Sequence, residues 1–403
     1  MITLLLDVLG FGLIIPIFPE LIKEVAHEDT AHAALTLGYL VAVFSLVQFI
    51  FSPILGGLSD QYGRRPILLV SLFGLALDYL LLAFAPSLGW VWVGRIIAGM
   101  TAANITAATA YIADVSKPED RAKNFGMMGA VFSLGFIIGP AVGGFLGEYS
   151  TRLPFFFAAG LAFLNWLYGF FILPESHKPE NRKPFNIRNA NPLASLKLLK
   201  KYPVVFNLTG MFLLTNLANQ LLQNVWVLYT AERYGWGPQA NGFSLTAVGV
   251  VGAVVQGVLV GLLIPKLGEK RAILIGLFIG VAQFVAYGLA TQGWMVYAII
   301  VIGAIGGIAG PAIQGLVSRH VSEKEQGAIQ GALSGLWSLV SIFGPILATS
   351  IFAYFTNQKA GNPYIPGMPF FVAAFMMLLG AFIAIWAFKS KRYDDPMKVK
   401  ALD

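Results

Sequence analysis

Of 403 residues, 57% are apolar and only 12% are charged, with a mean hydropathy of +0.72. A soluble globular domain carries roughly twice that charged fraction, so the chain reads as an integral membrane protein. Cysteine is absent and the four histidines, His27, His32, His177 and His320, fall in or near expected loops, which excludes disulfides and thiol catalysis and leaves no expected metal site. The net charge of +7 follows from which side of a bilayer the basic residues occupy, and no nucleic-acid partner is expected.

Apolar windows of about 20 residues recur twelve times, at 2–24, 35–57, 66–86, 89–113, 122–147, 153–173, 203–230, 240–265, 271–291, 293–318, 327–355 and 367–389. The expected fold is therefore all-α, with twelve transmembrane helices rather than the short alternating strands of a barrel. No cleavable signal precedes the first window, and Met1 opens straight into it. Between the second and third windows lies Gly-Gly-Leu-Ser-Asp-Gln-Tyr-Gly-Arg-Arg-Pro-Ile-Leu, at 56–68. Gly63 supplies a tight turn there and Pro66 opens the next helix. Asp60, Arg64 and Arg65 gather charge of both signs at one membrane face. Such charges form a candidate gate, holding helix ends together in one conformation and freeing them in another; the plainer reading is an arginine pair that anchors topology. The fifth window spaces Gly126, Gly135, Gly139, Pro140, Gly143 and Gly144 as G-x8-G-x3-G-P-x2-G-G. That pattern predicts close helix approach and a proline bend, with ordinary small-residue packing as the alternative.

Residues 174–202, rich in Pro, Asn, Lys and Arg, read as a cytoplasmic linker between six-helix bundles at 1–173 and 203–390. A tail at 391–403 follows, and its Arg392, Lys398 and Lys400 suit anionic headgroups. Landmarks recur at one offset of 205 residues: Gly63 with Gly268, Gly126 with Gly331, and Gly139-Pro140 with Gly344-Pro345. The repeat predicts two pseudo-symmetric bundles around a central cavity, a transporter architecture. Of 27 Lys and Arg residues, 22 fall after even-numbered windows or in the tail, whereas Lys23, Arg152, Arg233 and Lys359 lie on the other side. Both termini are accordingly expected in the cytoplasm, in a multi-pass protein of the inner cell membrane.

The remaining basic residue, Arg95, falls inside the fourth window, and Asp7 and Asp78 lie well inside the first and third. Ionisable groups are costly enough in lipid to be functional candidates. If protons drive transport, the first half must carry them, with Asp7 the first choice; the alternative is a fixed ion pair of Asp7 or Asp78 with Arg95. The second half carries amides instead. Asn216, Gln220, Gln223 and Asn224 fall at i, i+4, i+7 and i+8 of the seventh window, one helical face. Gln256, Gln283 and Gln314 add amides from the next three windows, and Trp226 and Trp337 add aromatic surface. Together they predict a cavity for a small, uncharged or mildly polar amphipathic ligand, with interhelical amide pairing as the structural alternative.

Taken together these stretches resemble the major facilitator superfamily, and within it the drug:proton antiporters of the tetracycline-efflux group. The loop at 56–66 is similar to the superfamily's signature between spans two and three, and Gly-Arg-Ile-Ile-Ala-Gly at 94–99 to its fourth-span signature. The fifth-window glycines resemble the antiporter signature. Closer to the tetracycline group are Leu-Asp-Val-Leu-Gly-Phe-Gly-Leu-Ile-Ile-Pro at 6–16, Leu-Asp-Tyr-Leu-Leu-Leu-Ala-Phe at 77–84, Trp-Val-Leu-Tyr-Thr-Ala-Glu-Arg-Tyr-Gly-Trp at 226–236 and Glu-Gln-Gly-Ala-Ile-Gln-Gly at 325–331. The resemblance implies that Asp60 and Arg64 act as gate residues, interacting with Asp114 at the end of span four and with the start of span eleven. It also implies that Asp7 and Asp78 match membrane acids of the tetracycline exporters. Two positions depart from that group: its histidine in span eight falls at Gly252 and its acid in span nine at Gly280. Both are linked there to exchange of a tetracycline–metal complex for protons, which places tetracycline itself in question as the substrate.

The expected function is proton-coupled export of small amphipathic drugs or metabolites by alternating access, carried out by a monomer in the bilayer. A facilitator or symporter of a neutral metabolite is the alternative. No cofactor beyond the coupling proton is expected. No GxxxxGK[ST] loop points to primary active transport, and no pairing of histidine, cysteine and carboxylate within a span points to an enzyme.

Overall fold

The computed structural model describes residues 1–102, 104–182, 184–185, 199, 202–322 and 325–389. Most of the expected linker, at 186–198 and 200–201, and the tail at 391–403 lie outside the described residues. Every regular element among the described residues is helical, as hydrocarbon requires of a backbone that must satisfy its own hydrogen bonds.

The first span is a bent pair, α1 (Ile2–Ile14) and α2 (Phe18–Ala26), with 49° between them. Pro16 and Pro19 withdraw two backbone donors at the bend. Next comes α3 (Thr30–Tyr62), capped by the Asp29 carboxylate, which accepts from the His32 amide at 3.1 Å. It runs to Gly63, and α4 (Arg64–Phe84) starts at once. The fourth span is also interrupted: α5 (Leu88–Thr101) and α6 (Asn104–Val115) are separated at Ala102, where ψ is +51°. After α7 (Arg121–Tyr149), α8 (Leu153–Ile172) and α9 (Pro203–Tyr234), the eighth span joins α10 (Pro238–Val254) to α11 (Val260–Leu267) through a π-helical turn at Val255–Leu259. Then follow α12 (Glu269–Leu289) and the tenth span, α13 (Gly293–Gly303) and α14 (Ala309–His320), joined by a 3₁₀ turn at Ala304–Ile308. The last two are α15 (Gln326–Thr356) and α16 (Met368–Phe388).

Ten of these spans, or eleven with the bent first pair, are long and apolar enough to cross a membrane. With 32 residues α9 is long enough too, and its row of amides is what lowers its hydropathy. It makes the twelfth.

Two units divide the chain: Met1–Asn191 with Gly235–Gly249, and Pro192–Tyr234 with Val250–Asp403. In the first, α1 packs along α7 and α8, α4 along α8 and α5, and α3 along α5. In the second, α9 packs along α15 and α16, and α12 along α16 and α14. The pairings α1–α7, α1–α8 and α4–α8 thus return as α9–α15, α9–α16 and α12–α16. That is the 205-residue repeat, seen in three dimensions.

The repeated glycines hold equivalent turns. Gly63 has φ +111° and ψ +161°, Gly268 has φ +74° and ψ +157°, and their amides close the preceding helix on the carbonyls of Ser59 and Ile264 at 3.1 and 2.9 Å. Only glycine reaches this region without strain. Their surroundings differ, because a Cβ at Gly63 would overlap the Glu175 carboxylate whereas one at Gly268 would meet nothing within 4 Å. Each alanine variant should carry roughly 1–3 kcal/mol of backbone strain, and thermal unfolding in detergent is expected to show Gly63→Ala melting below Gly268→Ala, since only the former adds a collision.

Candidate functional site

Three clusters of polar residues stand out, two in the first unit and one in the second. At the α3–α4 turn, Arg64 Nη1 lies 2.6 Å from Asp60 Oδ1, one helical turn away, and its Nε lies 3.2 Å from Asp114 Oδ2 at the end of α6. Nη1 also donates to Ser59 Oγ at 3.2 Å. The guanidinium therefore ties the ends of the second and fourth spans across the start of the third. Arg65 turns away from this cluster: it donates to the carbonyl of Phe170 in α8, with its guanidinium carbon 5.8 Å from the centre of that ring.

The hub of this end is a residue the sequence reading passed over. Glu175 accepts from the backbone amides of Arg64 at 2.9 Å and Arg65 at 3.1 Å, and from that of His177 at 2.9 Å. A carboxylate thus caps the first turn of α4, where unpaired donors and the helix dipole both favour negative charge. The segment that carries it is strapped down along its length. Tyr111 donates to the Pro174 carbonyl at 3.0 Å, Ser176 Oγ donates to Asp114 Oδ2 at 3.3 Å, and the Phe185 amide donates to Gln61 Oε1 at 3.1 Å. His177 Nδ1 stands 3.6 Å from the same Asp114 oxygen. The available signal was an acid directly behind Pro174, at the end of an apolar span.

Deeper in the first unit the intramembrane charges separate into two sites. Asp78 on α4 is fully buried and accepts from Arg95 on α5. The Arg95 guanidinium carbon also sits 5.1 and 5.8 Å from the ring centres of Phe18 and Phe44, so aromatic faces share its charge. Asp7 on α1, 7% exposed, does not pair with Arg95; its partner is the neutral side chain of Asn104, which donates to Oδ2. The interruption of the fourth span brings this amide to the first position of α6. No sequence pattern marked it, because neither the break nor the register of α6 against α1 is encoded in hydropathy.

The glycines of α7 divide between two neighbours. Gly135, Gly139 and Gly143, at i, i+4 and i+8, face α1: a Cβ would lie 2.5 Å from Val8 Cγ1 at the first and 2.8 Å from Gly12 Cα at the second, and at the third would overlap the Leu13 carbonyl. Gly144 faces the first half of α10, where its Cβ would lie 2.5 Å from the Pro238 carbonyl oxygen and 3.0 Å from Gly242 Cα. Thr246 on α10 donates to the Ile137 carbonyl at 2.8 Å, three residues before Pro140 within α7.

In the second unit the amides on α9 partly satisfy one another. Gln220 donates to Ser341 Oγ on α15 at 2.9 Å, and Asn224 donates to Gln220 Oε1 at 2.9 Å. Asn216 bonds back to its own helix at Phe212, Gln283 donates to the Tyr287 hydroxyl at 3.2 Å, and Gln314 accepts from Gln330 at 2.9 Å. Gln223 and Gln256 are exposed side chains, as is Trp337. Trp226 is not available as an open aromatic face; it is 4% exposed and packs edge-on against Tyr287, with 5.2 Å between ring centres.

Comparison with known proteins places this architecture. The sequence profile of the Major Facilitator Superfamily matches residues 1–345. The chain belongs to that superfamily. Among similar proteins, "Tetracycline resistance protein, class C" of Escherichia coli is 40% identical over 365 residues, 91% of each chain, and the class B protein is 37% identical over 370 residues. "Multidrug resistance protein 2" of Bacillus subtilis is 31% identical over 394 residues, 96% of this chain and 93% of that one. Of solved structures, a bacterial homologue of the lysosomal transporter Spinster superposes with a TM-score of 0.79 at 16% identity, covering 97% of this chain and 96% of that one. A human organic anion transporter superposes with a TM-score of 0.70 at 24% identity, covering 95% and 97%. The protein is thus a multi-pass secondary transporter of small molecules with the twelve-helix fold of its superfamily.

If Glu175 caps α4, Glu175→Ala should cost about 0.5–2 kcal/mol, lower the melting temperature in detergent and speed hydrogen exchange at the amides of Arg64 and Arg65. Glu175→Gln keeps an accepting oxygen without the charge, and is expected to fall between that variant and the wild type.

Proposed function

We propose that this transporter exports small amphipathic compounds in exchange for protons that load on the first unit. One observation carries the reading: two buried carboxylates of one bundle have different partners. Asp78 accepts from the guanidinium of Arg95, while the hydrogen-bond partner of Asp7 among the described residues is the amide of Asn104. A guanidinium balances the charge of Asp78 whether or not anything else binds; an amide leaves that of Asp7 unbalanced. Asp7 is then the carboxyl at which gaining or losing a proton makes the larger electrostatic difference. The names of the similar proteins, tetracycline and multidrug resistance, support export of a drug-like molecule.

Transport would follow alternating access, a binding site opening to one side of the membrane and then to the other. The Asp60–Arg64–Asp114 cluster is the gate at the cytoplasmic face, held in place by Glu175, and both termini lie on that side of the inner membrane. The exposed amides and Trp337 of the second unit contact the ligand, which needs hydrogen-bond partners and apolar surface rather than a counter-charge. The protein works as a monomer and catalyses no covalent chemistry.

The test is reconstitution into liposomes with a trapped pH indicator and an imposed pH gradient, followed by a screen of hydrophobic drugs and neutral metabolites. Substrate-dependent proton movement is expected from the wild type and its loss from Asp7→Asn. Undiminished coupling in that variant would remove Asp7 from the proton pathway.

A facilitator of neutral metabolites is favoured by one specific feature, the way position 280 is packed. A Cβ at Gly280 would overlap Met377 Sδ on α16, whereas one at Gly252 would meet nothing within 4 Å. An acid in the ninth span would therefore have to displace the Met377 side chain, while space for a larger side chain is open in the eighth. Gly280→Asp is expected to lose about 1–3 kcal/mol through overpacking and to reduce the monodisperse yield in detergent, while Gly252→His folds normally. Substrate movement without any proton flux in the liposome assay would establish the facilitator.

A further inference from the structure

Among the buried polar atoms of the first unit with no hydrogen-bond partner among the described residues are Asp7 Oδ1, Asp78 Oδ1, Arg95 Nε and the hydroxyl of Tyr79. Tyr79 is 1% exposed. Leaving a buried hydroxyl unpaired costs roughly 1–3 kcal/mol, and phenylalanine would fill the same space without that cost. A tyrosine in this place needs a reason beyond packing.

Its position supplies one. Asp78 and Tyr79 are successive residues of α4, so their side chains leave the helix about 100° apart. Asp78 points at α5, where Arg95 donates to Oδ2 and a Cβ on Gly94 would lie 2.7 Å from Oδ1. Tyr79 points at α1, where a Cβ on Gly10 would lie 3.3 Å from its Cε2 and 3.7 Å from its hydroxyl oxygen. Gly10 is one helical turn from Asp7 on the same face. Because Gly10 has no side chain, the ring reaches the α1 backbone and brings its hydroxyl against that helix one turn from Asp7.

We propose that Tyr79 relays protons between Asp7 and the Asp78–Arg95 pair, an inference that rests on the reading of Asp7 as the proton-loading group. In the relay, the O–H bond of the Asp7 carboxyl breaks as its proton moves to the phenol oxygen. The phenol's own O–H bond breaks in turn, and that proton forms a new O–H bond on Asp78 Oδ1. Tyr79 is neutral before and after, and the reverse passage returns the proton. Because the hydroxyl hydrogen-bonds to neither carboxylate directly, a water bonded to the unpaired atoms carries each transfer. A proton on Asp78 loosens its ion pair, and Arg95, still charged, keeps the faces of Phe18 and Phe44. Loading of Asp7 thereby reaches the contact between α4 and α5.

Infrared difference spectra of the full-length protein in phospholipid vesicles test this without a known substrate, with protons and deuterons as the probe. Carboxyl bands that change on acidification are assigned by their loss in Asp7→Asn and in Asp78→Asn. In Tyr79→Phe both bands are expected to move to higher frequency, as the hydrogen-bonded chain is lost, and deuterium should reach the Asp78 carboxyl roughly 100-fold more slowly. A fluorinated tyrosine at position 79, more acidic at nearly the same volume, should alter that rate in a protein of unchanged melting temperature. If Asp7→Asn removes a titrating band but neither change at position 79 affects bands or exchange, the relay alone is overturned. If Asp7→Asn removes no titrating band, the assignment of Asp7 falls and the relay with it.

Discussion

Charge is expensive in hydrocarbon, and the ion pair of Arg95 with Asp78 is the arrangement on which the first unit depends. An arginine or aspartate at mid-membrane costs on the order of 3 kcal/mol on biological insertion scales, so each is kept only where a partner is built in. Arg95 uses three partners from three helices: Asp78 on α4, Phe18 on α2 and Phe44 on α3. Those contacts draw the first four spans together around one cation. They also give Asp78 its counter-charge and leave Asp7 with an amide, so a single arginine sets the difference between the two acids.

A second constraint is steric. Three glycines at helical spacing let α7 touch the backbone of α1, and a fourth lets it touch the start of α10. Larger residues would hold the helices apart by the width of a side chain, and apolar surface alone gives no driving force for association in lipid. Close backbone contact recovers dispersion energy that the bilayer otherwise supplies. The same principle explains the Gly10–Tyr79 contact, where an absent side chain on α1 admits a whole ring from α4.

The fold was legible because hydropathy, charge bias and a fixed repeat are each properties of long stretches of chain. The equivalent turns at Gly63 and Gly268, and the matched helix pairings of the two units, follow from that repeat. The charge cluster at the α3–α4 turn was legible in part: Asp60, Arg64 and Asp114 do meet. Glu175 was missed because its partners are backbone amides 110 and 111 residues away, and a helix cap supplied from a distant segment leaves only an acid behind Pro174 as its local trace. Asn104 was missed for a related reason. Its importance comes from the break at Ala102, and an interruption of one or two residues disappears within an apolar window of about 20. Trp226 shows the opposite error, since an aromatic residue on an amide-rich helix looked like ligand surface yet turns to the interior, against Tyr287.

These contacts also bear on how one proton can affect a whole transporter. Asp7 lies one turn from Gly10, and Gly12 and Leu13 follow on the same helix, against Gly139 and Gly143 of α7. Because that contact is backbone to backbone, α1 cannot shift along α7 by a small amount without collision. It either stays or moves to another seating. α7 in turn holds the first half of α10 through Gly144, Gly242 and the Thr246 hydrogen bond. On the proposal that Asp7 loads the proton, a change of charge there would alter what α1 prefers, and stiff glycine contacts would pass that preference onward where flexible side chains would absorb it. Coupling of this kind requires elements with discrete arrangements rather than a wire of residues. Under the proposed loading of Asp7 the α1–α7–α10 series would supply such elements, and the fifth-span glycines would then serve coupling as well as packing.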